Sequence, residues 1–137
     1  QWPLIEGVFE LQTGGQVNLN QNFLLSAVEA DIETARSFTT ENEDPFSTWL
    51  DADLTGDRFT VRPRRAGDSF SPLGMNRQTV KLREFYIKAK IPRRARGGWP
   101  LVCAGEQIVW VPGFRLAHPF RITEKTNQVV KLSVLTI

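Results

Sequence analysis

The chain has 137 residues, 41% hydrophobic and 23% charged, the balance of one globular domain with a core of its own, and it has neither the low hydrophobicity of disorder nor an apolar run near the roughly 18 residues of a membrane span. A lone Cys103 and a lone His118 exclude internal disulfides, Cys/His zinc sites and His-based triads, and point to a reducing, cytoplasmic setting. The net charge of +2 hides a division: residues 1–55 carry ten Asp/Glu against Arg36, whereas residues 56–137 carry sixteen Lys/Arg against five Asp/Glu. Such asymmetry fits an anionic partner such as RNA or DNA, and equally a solvated basic face or a face that docks on acidic residues. The start at Gln1, with no basic and apolar leader, reads as an excised piece of a longer protein.

In chain order, Val8-Phe9-Glu10-Leu11 and Gln16-Val17-Asn18-Leu19 flank Gly14-Gly15 and read as a hairpin. Phe23 to Ile32 is ambiguous: Leu24, Val28 and Ile32 have helical spacing among mixed helix and strand formers. Thr39 to Pro45 is a polar stretch and the best linker. Asp51 and Asp53 alternate on an apparent strand; two carboxylates on one face either hold a divalent cation or decorate the surface. Arg58 to Arg62 alternates as a strand that Pro63 ends.

The spacing of Leu82, Phe85, Tyr86 and Ala89 predicts a helix over Thr79 to Lys90, stopped by Pro92, with an apolar stripe on one side. Arg77, Lys81, Glu84 and Lys88 form a ridge on another face, suited to a phosphate backbone and equally to plain solvation. Leu101 to Cys103 and Ile108 to Val111 read as strands joined by a turn at Gly105-Glu106. Phe120 to Thr123 and Val129 to Thr136 read as further strands. The expected class is α+β, mostly β with one main helix.

Two basic blocks stand out. Arg62-Pro63-Arg64-Arg65-Ala66-Gly67-Asp68 places guanidinium groups at a strand end, where they can hold phosphates bidentately; Asp68 is expected to pair with one of them or to cap a turn. Lys88 to Arg96 holds five basic residues, and Arg93, Arg94 and Arg96 are placed to open a short second helix. Clustered Arg without an aromatic platform reads as backbone contact, or as a solubility patch. Trp99, Trp110, Phe114 and Phe120 are stacking platforms for unpaired bases or core residues, and the apolar strands around Trp99 and Trp110 favour core. Cys103 reads as a small buried hydrophobe, and His118 as exposed. There is no phosphate-cradling GxxxxGK[ST] or GxGxxG loop and no nucleophile–base pair.

The blocks Arg62 to Met75, Lys81 to Arg96, Pro100-Leu101-Val102 and Ile108 to Gly113, in this order and spacing, resemble the C-terminal region of bacterial tRNA(Ile)-lysidine synthetases. The resemblance spans about Leu50 to Thr126. It implies a three-layer β/β/α domain like that of the phenylalanyl-tRNA synthetase β chain, at residues 50–137, preceded by an acidic β-rich segment at residues 1–49. It also implies a role: holding the acceptor end or body of a minor isoleucine tRNA while a separate catalytic domain, using ATP and magnesium, joins lysine to the wobble cytidine. No catalytic residue, metal ligand or cofactor is expected in this stretch. Arg64, Arg65, Lys81, Lys88, Lys90, Arg93, Arg94 and Arg96 are the expected RNA contacts. Ser69 stands where the family commonly has Arg, and Asn76 where it commonly has Gly. The divided charge also allows a homodimer, with the acidic half of one chain docked on the basic half of another.

Overall fold

β-branched and aromatic residues recur through most of the chain, and they pair into antiparallel ladders. The computed structural model describes residues 1–39 and 44–137. The linker expected over Thr39 to Pro45 lies largely outside the described residues. The elements begin with β1 (Phe9–Gln12), β2 (Gln16–Asn18), β3 (Phe23–Ala30), α1 (Ile32–Thr39), β4 (Ser47–Asp51) and α2 (Ala52–Thr55). They continue with β5 (Arg58–Arg62), β6 (Ser69–Phe70), β7 (Val80–Lys81), α3 (Leu82–Lys88) and α4 (Arg93–Arg96). The chain closes with β8 (Leu101–Ala104), β9 (Gln107–Val111), β10 (Arg115–Leu116) and β11 (Val129–Thr136). Mostly strand with short helices, this is the α+β class expected.

One sheet has the order β1-β5-β8-β9-β10, a second the order β2-β3-β11-β4, and β6 pairs with β7 alone. Gly14, at φ 97°, turns the chain as expected, but β1 and β2 are not a hairpin. β1 pairs with β5, Leu11 opposite Phe59, and β2 pairs with β3, Val17 opposite Leu25. The turn carries the chain from one sheet to the other, its Gly14 N–H donating to the Ala27 carbonyl at 2.7 Å. A local turn signal cannot tell this corner from a hairpin, because the partners that decide it lie far along the chain.

The ambiguous segment resolves into two elements. β3 runs in register with β11, from Phe23 opposite Thr136 to Ala30 opposite Val129, and buries Leu25 and Ala27. Asp31 then ends the strand, its carboxylate accepting from the Thr34 amide and hydroxyl, and α1 starts. Both sheets feed one core: Leu25, Leu50 and Leu132 meet Phe59, Val61, Leu101, Val109 and Trp110. Residues before and after position 49 share both sheets, and the 49/50 boundary drawn from sequence falls inside β4.

Three expectations need correction. Asp51 and Asp53 do not share a strand face: Asp51 ends β4 and caps α2, accepting from the Asp53 amide and the Thr126 hydroxyl at 2.9 and 2.8 Å. Asp53 accepts from the Asn127 amide at 2.7 Å, so both carboxylates are engaged by groups within the fold. Phe120 to Thr123 is not a strand; His118–Phe120 is a 3-10 turn, and Pro119 sits in its first positions, where a missing N–H costs nothing. The main helix is shorter than Thr79 to Lys90. Val80 and Lys81 are extended and pair with Phe70 and Ser69, and α3 gives way at Lys88, before Pro92, with Lys90 at φ 60°.

The join between β5, the loop after it and α3 runs through Asp68. Arg62, the last residue of β5, reaches both carboxylate oxygens of Asp68 at 2.9 and 3.0 Å. The same carboxylate accepts from the Arg65 amide at 2.7 Å, and the Asp68 carbonyl accepts from the Leu82 amide at 2.9 Å. The two side chains are 6% and 14% exposed. Burial alone would raise the Asp68 carboxyl, but the hydrogen bonds from Arg62 and Arg65 outweigh it and hold it below its ordinary value. Hydrogen bonding to Asp68 in turn raises the Arg62 guanidinium.

Leu132 is fully buried on the strand between β3 and β4, so Leu132→Ala should cost about 2–5 kcal/mol, read as a lower urea midpoint. Asp68→Asn leaves the buried Arg62 charge without its partner and should cost about 3–5 kcal/mol at neutral pH. Since the folded carboxyl titrates below its unfolded counterpart, the unfolded chain binds the extra proton as pH falls. The pair's contribution is therefore complete above the ordinary carboxylate range and fades below about pH 4, and the stability gap between wild type and Asp68→Asn should narrow there.

Candidate nucleic-acid interface

Because Arg62 and Asp68 satisfy one another, the remaining cations of the loop are free to face solvent. Arg64 and Arg65 follow Pro63, which ends the strand, and Gly67 at φ 86° closes the turn in a conformation that side chains disfavour. Across from them stand Lys81, Leu82 and Arg83, where β7 passes into α3. Together Arg64 to Asp68 and Lys81 to Arg83 line an open groove of about 610 Å³. Arg64, Arg65, Lys81 and Arg83 are exposed, and among the described residues none is in a salt bridge. Four uncompensated cations on one groove can each meet a phosphate, with guanidinium groups offering two donors at once.

The eight expected contacts thus separate. Arg64, Arg65 and Lys81 converge, and Arg83 joins them. Helical spacing hides Arg83, because residues two apart lie on different helix faces; Lys81 is not helical but caps α3 in an extended conformation, which allows both to line one groove. Lys88 ends α3 and lines a different cavity, with Phe85 and Phe114. Lys90 is exposed in a left-handed turn between the two helices. Arg93, Arg94 and Arg96 lie on α4, the short second helix expected, which is anchored by buried Ala95. Arg94 sits 5.0 Å over the Trp2 ring and Arg96 donates from Nε to the Ile91 carbonyl at 2.8 Å, so both are partly engaged within the fold.

Arg77 leaves the expected ridge altogether. It is not in α3 but follows Asn76 in a turn, both left-handed at φ 63° and 52°, and it lines a hollow with His118 and Arg121. Asn tolerates this conformation better than most residues, which accounts for Asn76 where a glycine is common. His118 is half-buried, and desolvation with the nearby Arg121 and Arg77 charges lowers its pKa. Ser69 lies directly across the ladder from Lys81, so an Arg there would add a cation beside Lys81.

Trp99, Trp110 and Phe120 are core residues; Trp99 donates from Nε1 to the Pro112 carbonyl at 2.9 Å. Phe114 is the half-buried exception. Burial pushes the Cys103 thiol up to about 11, which removes it as a nucleophile. Burial likewise raises the Tyr86 hydroxyl, which has no hydrogen-bond partner among the described residues. Among the described residues no three His, Cys, Asp or Glu side chains are grouped to hold a metal.

The family model described as the TilS substrate C-terminal domain matches residues 59–133. The tRNA(Ile)-lysidine synthase of Caldanaerobacter subterraneus subsp. tengcongensis is 43% identical over 89 residues, which cover 65% of this chain and 19% of the relative. That of Clostridium tetani is 27% identical over 120 residues, 86% of this chain and 26% of the relative. The chain therefore spans only a minor part of the curated relatives it matches. A crystal structure of a TilS C-terminal domain shares the fold, with a TM-score of 0.76 at 22% identity, over 96% of this chain and 98% of that one. With the groove, α3 and strands β8 and β9 of the first sheet inside the matched span, the chain belongs to the TilS substrate C-terminal domain family.

Proposed function

We propose that this chain is the RNA-holding C-terminal portion of a tRNA(Ile)-lysidine synthase. It grips the acceptor end or body of a minor isoleucine tRNA while a separate catalytic domain, supplied with ATP and magnesium, joins lysine to the wobble cytidine. The observation that carries this reading is the convergence of Arg64, Arg65, Lys81 and Arg83 on one groove whose only carboxylate among the described residues, Asp68, is already taken by Arg62. Such a groove suits double-helical RNA, which is recognised mainly through shape, phosphate and 2′-hydroxyl. Lys88, Lys90, Arg93, Arg94 and Arg96 extend the positive surface along α3 and α4 and serve as outer phosphate contacts. A domain of this length has a radius of gyration of roughly 14 Å, enough to cover one end of a tRNA. Among the described residues no helix is long and apolar enough to cross a membrane, and a tRNA partner places the protein in the cytoplasm.

The test is binding of the chain to a minor isoleucine tRNA transcript across a salt series. Four neutralised phosphates give a slope of log K against log salt of about −3 to −4, and Arg64→Ala/Arg65→Ala should flatten it by about 2. A wild-type slope near zero would overturn the proposal. Binding that survives the groove pair but is lost in Arg93→Ala/Arg94→Ala/Arg96→Ala would move the contact surface to α4. Light scattering in the same series reads out the homodimer that the divided charge allows: RNA holding needs only a monomer, whereas docking of unlike charges should show a dimer at low salt that salt dissolves.

A further inference from the structure

The groove accounts for backbone contact but leaves the cavity beyond it unused. On the other side of the β7–α3 junction, Met75, Val80, Phe85 and Phe114 wall a half-enclosed space of about 390 Å³, within the size class of small-ligand sites. Val80 and Lys81 are successive strand residues, so their side chains point to opposite faces: Lys81 enters the groove and Val80 the cavity. Phe114 is held as a fixed wall, edge-on to Phe85 at 6.4 Å and to Trp99 at 5.4 Å between ring centroids. The rim is polar. Glu84 and Lys88 both line it, and Glu84 makes no ion pair among the described residues.

We propose that this cavity receives one unstacked nucleobase from a single-stranded end or bulge of the RNA whose duplex lies in the groove. This rests on the RNA-holding reading above. An apolar, aromatic interior suits the faces of a base, and unpaired bases are commonly taken up against aromatic side chains. Glu84 can accept from the amino or imino N–H groups of a base edge, while Lys88 meets the adjoining phosphate. A purely aliphatic guest, such as a side chain from another protein segment, would make no hydrogen bond to the Glu84 carboxylate at the rim. Shape, the acceptor at the rim and the neighbouring Lys88 and Arg115 favour a base over a peptide.

Met75 is the one methionine of the chain, so its methyl group, labelled with carbon-13, is a single reporter inside the cavity. Two RNAs are titrated: a blunt stem, and the same stem with a short single-stranded 3′ extension. The extended RNA is expected to bind about tenfold more tightly and to move the Met75 methyl upfield by the base ring current. Ala89→Phe, which fills the cavity from its wall, should abolish the difference between the two RNAs. Salt-sensitive binding of both RNAs with equal affinity and an unmoved methyl overturns the base site while the groove stands. Tighter binding of the extended RNA that Ala89→Phe retains also overturns it, since the base then lies elsewhere. Failure of both RNAs to bind overturns the groove and the base site together.

Discussion

Arg62 and Asp68 decide what the surface of this domain can do. A buried guanidinium and carboxylate each cost several kcal/mol to desolvate, and only a well-formed pair with its other hydrogen bonds satisfied offsets that cost. Here the pair is bidentate, and Asp68 also takes the Arg65 amide and, through its carbonyl, the Leu82 amide. One residue, through its carboxylate and its carbonyl, thus ties a strand end, a loop and a helix start together. The consequence is electrostatic as well as mechanical. With Asp68 committed inward, its charge is balanced by Arg62, and the neighbouring Arg64, Arg65, Lys81 and Arg83 keep theirs for a partner.

The divided charge of the chain takes a different form in three dimensions. The acidic first segment and the basic remainder are woven into the same two sheets, so the division is not one between lobes. It persists as separate surface regions: Glu29, Asp31 and Asp57 border one hollow, while the four groove cations border another. A polyanion approaching such a molecule is attracted to one region and repelled by the other, which orients it before contact. The small excess of positive charge over the whole chain says little about this; the arrangement carries it.

The aromatic residues show why a stretch of sequence can be read for burial and still misplace a site. Trp110 sits in an apolar strand and Trp99 two residues before one, and their burial was legible from those neighbours. Phe114 lies beside a glycine turn with no strong pattern around it, and its position in a cavity wall depends on Phe85 from α3 and Trp99 from a different part of the chain. The same limit applies to Arg83. Its place in the groove requires that α3 begin at Leu82, which follows from the pairing of Val80 and Lys81 with Phe70 and Ser69. No helical periodicity within residues 79–90 reveals that pairing.

What residue order determined by itself was local: the alternation that makes β5, the apolar, β-branched runs that make β8, β9 and β11, the glycine turns, the apolar stripe of α3, the basic blocks, and the spacing of blocks that carries the family resemblance. Tertiary structure decided which strands meet, and therefore that Gly14 makes a corner between sheets rather than a hairpin, and that Asp51 and Asp53 are engaged by groups within the fold. It also divided the eight expected contacts, bringing Arg64, Arg65 and Lys81 into one groove with Arg83, and placing Arg77 elsewhere. The physical reason is common to these cases. Turn chemistry and side-chain periodicity act within a few residues, whereas ladder pairing, burial of a charge and the lining of a cavity depend on partners tens of residues away.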